Sequence, residues 1–217
     1  MRFSDRTEAG IKLAQALQKY SGNSTVVLAL PRGGVPVGAE VAKAIKAPLD
    51  VALVRKIGHP QNPEYAIAAI GESGEMVLEK SEVLGVSHDW FTAEIARQRK
   101  LIEERRKLYL HGRKPLPLKG KTVILVDDGL ATGLTMKAAV QEVEKRKPER
   151  IIVAAPVASQ EAAMDLKKLS DEVISLYTAF HFGAVGNYYE DFRQVSDEEV
   201  ADIIKRSIYA QNVQKTA

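Results

Sequence analysis

Runs of aliphatic residues alternate with segments of helical periodicity, and this alternation constrains the fold more than any other feature of the sequence. In the second half, the runs KTVILVDD (121–128), RIIVAAPVA (150–158) and EVISLYT (172–178) are separated by predicted helices at about 133–147 and 159–169. Strands that are apolar throughout, alternating with helices, are typical of parallel sheets with both faces covered. The sequence therefore predicts an α/β fold with a Rossmann-like parallel sheet.

The first half adds two strands to this sheet and then a different kind of segment. STVVLALP (24–31) and LDVALVRK (49–56) predict strands, with a helix at 35–45 between them. The two prolines of HPQNPEY (59–65) predict a loop. Residues 66–80 predict a hairpin about a Glu-Ser-Gly turn.

We expect all 217 residues to form one domain, with a core at about 21–178. Further helices are expected at about 5–20, capped by Ser4 or Asp5, and at about 88–110. A last helix is expected at about 196–210, because the acids of SDEE suit a first helical turn.

Composition excludes several classes of function. The chain has no cysteine, and so it has no disulfide framework, thiolate nucleophile or cysteine metal site. Its net charge of +3 is too small to indicate nucleic-acid binding by itself. The polar start MRFSDRTEAG is not typical of a signal peptide, and no apolar run approaches the roughly 20 residues of a membrane helix. We therefore expect a soluble, cytoplasmic protein.

The stretch VILVDDGLATGLT (123–135) carries the strongest functional signal. In open α/β sheets ligands bind at the carboxyl ends of the strands, where Asp127 and Asp128 are expected. Two adjacent acids repel each other and lose solvation, so that a bound partner should compensate them. A magnesium ion or the hydroxyls of a sugar would serve.

The turn GLATGLT that follows leads into a helix N-terminus. Small residues leave its backbone N–H groups exposed, and Thr132 and Thr135 add hydroxyl donors, which predicts a phosphate cradle. The turn lacks the lysine of the usual nucleotide P-loop. Carboxylates for a ribose beside a cradle for a phosphate together indicate a 5-phosphoribosyl group.

The whole stretch resembles the phosphoribosyl-diphosphate motif of the type I phosphoribosyltransferases, and the resemblance extends in order of elements over roughly 25–195. It implies transfer of a 5-phosphoribosyl group from 5-phosphoribosyl diphosphate (PRPP) to a nitrogenous base, a homodimer, a flexible hairpin loop and a small hood. The implied PRPP-binding residues of the motif are Asp127, Asp128, Gly129, Leu130, Ala131, Thr132, Gly133, Leu134 and Thr135.

The family's pyrophosphate loop follows the first core strand, where this chain has LPRGG (30–34). The resemblance implies that Gly33 and Gly34 let the backbone approach the phosphates and that Arg32 supplies charge. Such loops often contain an unusual cis peptide, and the bond between Arg32 and Gly33 is a candidate.

The flexible loop of the family corresponds to about 57–80. Arg55 and Lys56, at the end of the second predicted strand, are placed to face the pyrophosphate, as is His59. The resemblance therefore implies catalytic roles for Arg32, Lys56, Asp127 and Asp128.

The hood over the acceptor base corresponds to about 179–195, which is dense in aromatic residues. Phe182, Val185 and Tyr188 are candidates for stacking on a heterocycle. The alternative is that they form a hydrophobic plug over the end of the sheet.

Enzymes acting on 6-oxopurines tend to have an acid where this chain has Ala131, which argues against hypoxanthine or guanine as acceptor. The resemblance also implies Mg²⁺, which usually binds through substrate oxygens and water with few carboxylates. We therefore expect no direct protein ligand to the metal, with Asp127 and Asp128 holding ribose hydroxyls and metal-bound water.

Two other readings stay open. Some proteins of this fold sense PRPP and bind nucleic acid or a partner without catalysis, and the basic segment 97–114 raises that idea. Glutamates are mixed into that segment, however, which favours a solvated helix face. A response-regulator-like or nucleotide-binding domain would share the α/β plan, but neither GxGxxG nor a Walker lysine is present.

Overall fold

The structure of the protein is a computed structural model, which describes residues 2–22, 24–72, 74, 76–78, 80–111 and 113–216; at 64, 80 and 208–216 it describes the backbone alone. The strands are β1 (Thr25–Ala29), β2 (Leu49–Val51), β3 (Val54–His59), β4 (Asn62–Gly71), β5 (Met76–Leu78), β6 (Thr122–Val126), β7 (Arg150–Ser159) and β8 (Glu172–Ala179). The helices are α1 (Arg6–Ala16), α2 (Gly34–Ala44), α3 (Lys80–Val83), α4 (His88–Leu110), α5 (Leu134–Glu144), α6 (Gln160–Leu166) and α7 (Asp197–Thr216).

Five parallel strands form the main sheet in the order β2-β1-β6-β7-β8, which confirms the predicted α/β fold. The register of β1 on β6 runs from Thr25 opposite Thr122 to Ala29 opposite Val126. These two central strands therefore end side by side, and the loops that follow them emerge together. Among the described residues, no helix is long and apolar enough to cross a membrane.

The core lies on both faces of this sheet. Alternate residues of β1 divide between the faces, with Val27 and Ala29 on one side and Val26 and Leu28 on the other. The first face is covered mainly by α1, α2, α4 and α7, and the second by α5 and α6. Burial on both faces explains why the strands carry aliphatic residues throughout.

A second, antiparallel sheet contains β3, β4 and β5. Its apolar residues pack in two directions, with Ile57 and Ile70 in the same cluster as Ile102 of α4, and Ala69 against Leu134 of α5. The pairing of β4 with β5 confirms the predicted hairpin, although Ser73 of its turn lies outside the described residues.

Two predictions in this region are wrong, one of a strand and one of a loop. The predicted strand 49–56 is two strands, because the chain leaves the parallel sheet after Val51 and enters the second sheet at Val54. The predicted loop 59–65 is mostly strand, since His59 pairs with Asn62 and only two residues separate β3 from β4. A register shift at Gly58 accommodates Pro63, whose carbonyl oxygen would lie 2.1 Å from a Cβ at position 58.

The helix predictions agree more closely with the structure. The predicted helix at 88–110 corresponds to α4 (His88–Leu110), and Asp5 caps α1 by accepting a hydrogen bond from the Glu8 N–H at 2.8 Å. The helix expected from about Ser196 begins at Asp197, and the Ser196 hydroxyl accepts a hydrogen bond from the Glu199 N–H at 3.2 Å.

Candidate functional site

Two loops meet at the carboxyl edge of the main sheet, one after β1 and one after β6. The Leu30 N–H donates to the Val126 carbonyl oxygen at 2.8 Å and keeps the chains paired just beyond the strands. A Cβ on Gly33 would lie 2.0 Å from Asp128 Oδ2, and one on Gly34 would lie 2.7 Å from the Val126 carbonyl oxygen. Glycine at these positions is therefore required by the closeness of the acidic loop itself.

The loop after β1 contains a cis peptide bond, but not at the Arg32–Gly33 bond considered from the sequence. The cis peptide bond lies between Pro31 and Arg32, one bond before Arg32–Gly33.

The two carboxylates at the end of β6 are each held by hydrogen bonds. The backbone N–H of Asp128 donates to Asp127 Oδ1 at 2.8 Å, and Arg6 Nε donates to Asp128 Oδ2 at 2.8 Å. The Asp128 carboxyl also interacts with the Asp127 side chain and with its own backbone N–H, and both hydrogen bonds lower its pKa.

The two acids lie at the partly exposed edge of the sheet. Asp127 and Asp128 are both partly buried, and 13% of the Asp128 side chain is accessible. The pair thus presents two neighbouring hydrogen-bond acceptors at the sheet edge.

The charges of this pair are only partly compensated. Burial raises the pKa of Asp127 well above its ordinary value, and the charge of Asp128 raises it further, against the opposing effects of Lys56 and Arg6. Burial also raises the pKa of Asp128, although the charge and hydrogen bond of Arg6 counteract it. Carboxylates destabilised by burial in this way gain from hydroxyl donors or a cation brought by a ligand.

The turn after the acids is fixed to β7 and leads into α5. The Leu130 N–H donates to the Val157 carbonyl oxygen at 2.9 Å, and the Ser159 hydroxyl donates to the Ala131 carbonyl oxygen at 2.6 Å. Gly133 has a φ of 72° and forms the N-cap of α5, while Thr132 is exposed beside it. An exposed threonine at a fixed helix N-terminus suits an anion.

The structure separates the basic residues predicted for the pyrophosphate. Arg32 lies beside the first turn of α7, with Nη1 3.9 Å from Asp197 Oδ1. Lys56 is exposed on β3, close enough to Asp127 for its charge to lower the pKa of that carboxyl. Lys56 therefore faces the acid pair from the second sheet, whereas the Arg32 guanidinium lies toward α7.

Arg55 and His59 do not join them. The neighbouring side chain on β3, Arg55, donates to Gln98 Oε1 of α4 at 2.8 Å, and burial lowers its pKa. His59 lies at the tip of the β3–β4 hairpin, where its Nδ1 accepts from the Gln61 N–H at 3.2 Å.

The three residues predicted for the acceptor base differ in their surroundings. Phe182 and Tyr188 are 8% and 9% exposed and pack against each other, with ring centroids 5.0 Å apart. The Tyr188 hydroxyl donates to the Phe182 carbonyl oxygen at 3.0 Å. Val185 lies over the acidic loop instead, where a Cβ on Gly129 would come within 2.5 Å of its Cγ1. The hydrophobic-plug alternative therefore describes Phe182 and Tyr188, and Val185 alone of the three borders the site.

Sequence reasoning missed two residues that hold the acid loop. Arg6 contacts Asp128 from the start of α1, and the Tyr189 hydroxyl donates to the Asp128 carbonyl oxygen at 2.6 Å. Their partners are distant in sequence, so no local motif marked them.

The parallel sheet and the two facing loops define an α/β protein of the type I phosphoribosyltransferase fold. The chain belongs to the phosphoribosyl transferase domain family, whose profile matches residues 7–191.

Individual relatives agree with this assignment. The crystal structure of TT1426 from Thermus thermophilus is 46% identical with a TM-score of 0.80, over 95% of this chain and 99% of that one. Two Mycobacterium tuberculosis proteins that carry the name "Putative phosphoribosyl transferase" are 43% identical over 207 residues, or 94% of this chain. The chain spans 47% of the length of each of these two relatives.

A more distant relative carries a more specific name. The adenine phosphoribosyltransferase of Mycoplasmopsis synoviae is 29% identical over 160 residues, which are 74% of this chain and 70% of that protein.

Proposed function

We propose that this protein transfers the 5-phosphoribosyl group of PRPP to a nitrogenous base, with release of pyrophosphate and with Mg²⁺ as cofactor, as an enzyme of nucleotide metabolism. The observation that carries the proposal is the pair of partly exposed carboxylates, Asp127 and Asp128, beside the N-terminus of α5. Two acceptors match the two neighbouring hydroxyls of a ribose, and the helix N-terminus matches its 5′-phosphate.

Separate groups of residues bind the three parts of the substrate, which are the ribose, the 5′-phosphate and the pyrophosphate. Asp127 and Asp128 accept hydrogen bonds from the ribose hydroxyls, and the turn 129–135 with Thr132 binds the 5′-phosphate. Lys56, which lies near Asp127, and Arg32, from the loop after β1, neutralise the pyrophosphate as it leaves. This arrangement holds C1 of the ribose between the leaving group and the acceptor.

The reaction needs no nucleophile from the protein. The C1–O bond to pyrophosphate breaks with its electron pair on the leaving oxygen, and a C1–N bond to the base forms through an oxocarbenium-like transition state. The proton lost from the ring nitrogen of the base passes to the departing pyrophosphate. The protein holds the two partners in line, neutralises the leaving charge and excludes water.

The residues present fit Mg²⁺ held through substrate and water. Among the described residues, no group of three or more histidines and carboxylates could hold a metal ion by itself, but the partly exposed acid pair suits metal-bound water. Bound there, Mg²⁺ would add positive charge to the pyrophosphate.

For the acceptor, two observations favour a base other than a 6-oxopurine. Ala131 is exposed in the turn at the position where an acid would face the base, and one relative is named for adenine. The side of the site toward Val185 is the place for the acceptor.

The test is a screen of purine and pyrimidine bases with PRPP and Mg²⁺, following pyrophosphate release. We expect release with at least one base other than hypoxanthine or guanine, and its loss on chelation of Mg²⁺. The Asp127→Asn/Asp128→Asn variant is the matched negative control. PRPP binding without release for any base would contradict catalysis and favour the sensor reading.

Arg32→Ala tests the division of the substrate. It should weaken PRPP binding at least tenfold and spare ribose 5-phosphate, because only PRPP carries the group that Arg32 neutralises. Calorimetry with both ligands decides this, and equal losses would place the pyrophosphate in another loop.

A further inference from the structure

Arg6 makes four contacts that join the acid loop to the segment 189–193. Its Nε donates to Asp128 Oδ2 at 2.8 Å and its Nη1 to the Arg193 carbonyl oxygen at 2.8 Å. Its guanidinium carbon lies 4.0 Å from the centroid of the Phe192 ring and 5.9 Å from that of Tyr189. With 9% of the residue exposed, this charge is buried between the two segments.

The backbone around Arg6 fixes its place. Phe3 and Tyr189 form a parallel bridge, in which the Phe3 N–H donates to the Tyr188 carbonyl oxygen at 2.8 Å and the Glu190 N–H to that of Phe3 at 2.8 Å. The cap at Asp5 then begins α1 immediately before Arg6. Because both the backbone and the guanidinium of Arg6 are fixed, its side chain cannot easily move away from Asp128.

Asp128 is therefore gripped at two atoms. Arg6 takes one carboxylate oxygen, and the Tyr189 hydroxyl donates to the backbone carbonyl oxygen of the same residue. With these two points fixed, the carboxylate cannot rotate freely, and its second oxygen, Oδ1, keeps one orientation.

We propose that Arg6 is a positioning residue of the ribose site: it orients the Asp128 carboxylate so that one oxygen accepts a sugar hydroxyl, and it makes this orientation depend on segment 189–193. The inference rests on the proposed function. Arg6 lies just before the part of the chain that matches the family profile, and Phe192 and Arg193 lie just after it. Of its four contacts, those with Phe192 and Arg193 reach beyond the matched region, and those with Asp128 and Tyr189 lie within it.

The chain offers a matched control on the same segment. Arg2 Nε donates to the Tyr189 carbonyl oxygen at 3.1 Å, so Arg2 also contacts the segment but has no contact with Asp128 among the described residues. Arg2→Gln removes a similar arginine contact while leaving the carboxylate held.

The experiment measures binding of ribose 5-phosphate and of inorganic pyrophosphate by calorimetry to the unmodified protein, Arg6→Gln, Arg6→Lys and Arg2→Gln. We expect Arg6→Gln to weaken ribose 5-phosphate binding about tenfold. Pyrophosphate binding should weaken by no more than about threefold. Arg6→Lys should recover part of the loss, and Arg2→Gln should stay within twofold of the unmodified protein.

A double-mutant cycle with Asp128→Asn tests whether Arg6 acts through Asp128. The loss caused by Arg6→Gln should disappear in the Asp128→Asn background. An undiminished loss there, equal losses for the two ligands, or unchanged ribose 5-phosphate binding in Arg6→Gln would overturn the inference.

Tyr189→Phe keeps the test decisive if Arg6→Gln does not fold, because it deletes only the hydroxyl that holds the Asp128 carbonyl. It should weaken ribose 5-phosphate binding severalfold, and unchanged affinity would count against the positioning. If the unmodified protein binds neither ribose 5-phosphate nor PRPP, the proposed function fails first, and the inference fails with it.

Discussion

The protein compensates the buried Asp50 of β2 much more fully than the acid pair at the end of β6. Asp50 of β2 is 1% exposed and accepts hydrogen bonds from the Val51 and Leu116 N–H groups at 2.8 and 3.0 Å. Arg106 and Arg113 bring guanidinium nitrogens to 3.3 and 3.9 Å from its Oδ1. Both oxygens of this carboxylate are therefore hydrogen-bonded from within the protein.

The acids at the end of β6 are compensated much less. Among the described residues, one arginine, Arg6, bonds to the pair through Asp128, and both acids are partly exposed. The comparison teaches how a structural acid differs from one kept for a ligand. The first is saturated as the chain folds, whereas the second retains acceptor capacity and a raised pKa until a partner arrives.

The largest effect should follow from breaking the saturated site. Asp50→Asn keeps the shape but leaves Arg106 and Arg113 facing an amide, which should lower the free energy of unfolding by about 3–5 kcal/mol. Denaturant unfolding measures this. If the loss stays below about 1 kcal/mol, Asp50 does not differ from a surface acid and the comparison fails.

The acid pair at the end of β6 should show the opposite balance. Asp127→Asn/Asp128→Asn should weaken PRPP binding at least tenfold, about 1.4 kcal/mol, in a variant that still folds, because relief of the buried charge at Asp127 opposes the loss of the Arg6–Asp128 ion pair. Calorimetry and a melting curve on the same sample separate the two quantities. Unchanged affinity in the folded double variant would remove the ribose assignment.

A smaller effect concerns stability against pH. Because the pKa of Asp127 is raised in the folded state, the native protein binds more protons than the unfolded chain above the ordinary value of 3.8. Stability is therefore lost as pH rises through the folded pKa, and Asp127→Asn should remove that loss. We expect Tm at neutral pH to rise by about 2–4 °C, with the difference from the unmodified protein shrinking toward pH 4. A difference independent of pH would mean that Asp127 is not destabilised by its charge.

The smallest effect serves as the reference for the others. Lys12 and Glu8 form an i, i+4 pair on the surface of α1, 2.7 Å apart, and Lys12→Gln should change the free energy of unfolding by less than about 0.5 kcal/mol. A loss comparable to that of Asp50→Asn would show that burial does not set the scale.

The position of Asp127 and Asp128 at the sheet edge was predictable because the sequence pattern that marks it is local. Asp127 and Asp128 follow a buried strand and precede a helix within one continuous stretch, so periodicity and small residues sufficed to place them. Asp50 gave no such signal, because its partners Arg106 and Leu116 lie more than 50 residues away. Likewise, only Ala52 and Leu53 separate β2 from β3, and neither is a turn residue that would mark where the chain leaves the parallel sheet.

The acceptor side shows a further limit of the sequence. Aromatic residues in 179–192 suit a base-stacking surface and a small core equally, and only packing decides between the two. The bridge from Phe3 to Tyr189 brings a fourth aromatic ring to this cluster, which buries Phe182 and Tyr188.

The contact between Gly33 and Asp128 has an evolutionary consequence. A methyl group at position 33 would lie 2.0 Å from a carboxylate oxygen, so the two loops cannot change their side chains independently. Among relatives of this chain, a residue larger than glycine at position 33 should occur together with a shorter side chain at position 128. The acid at position 128 therefore limits which residues can stand 95 positions earlier, at position 33. Substitutions in the two loops should occur together.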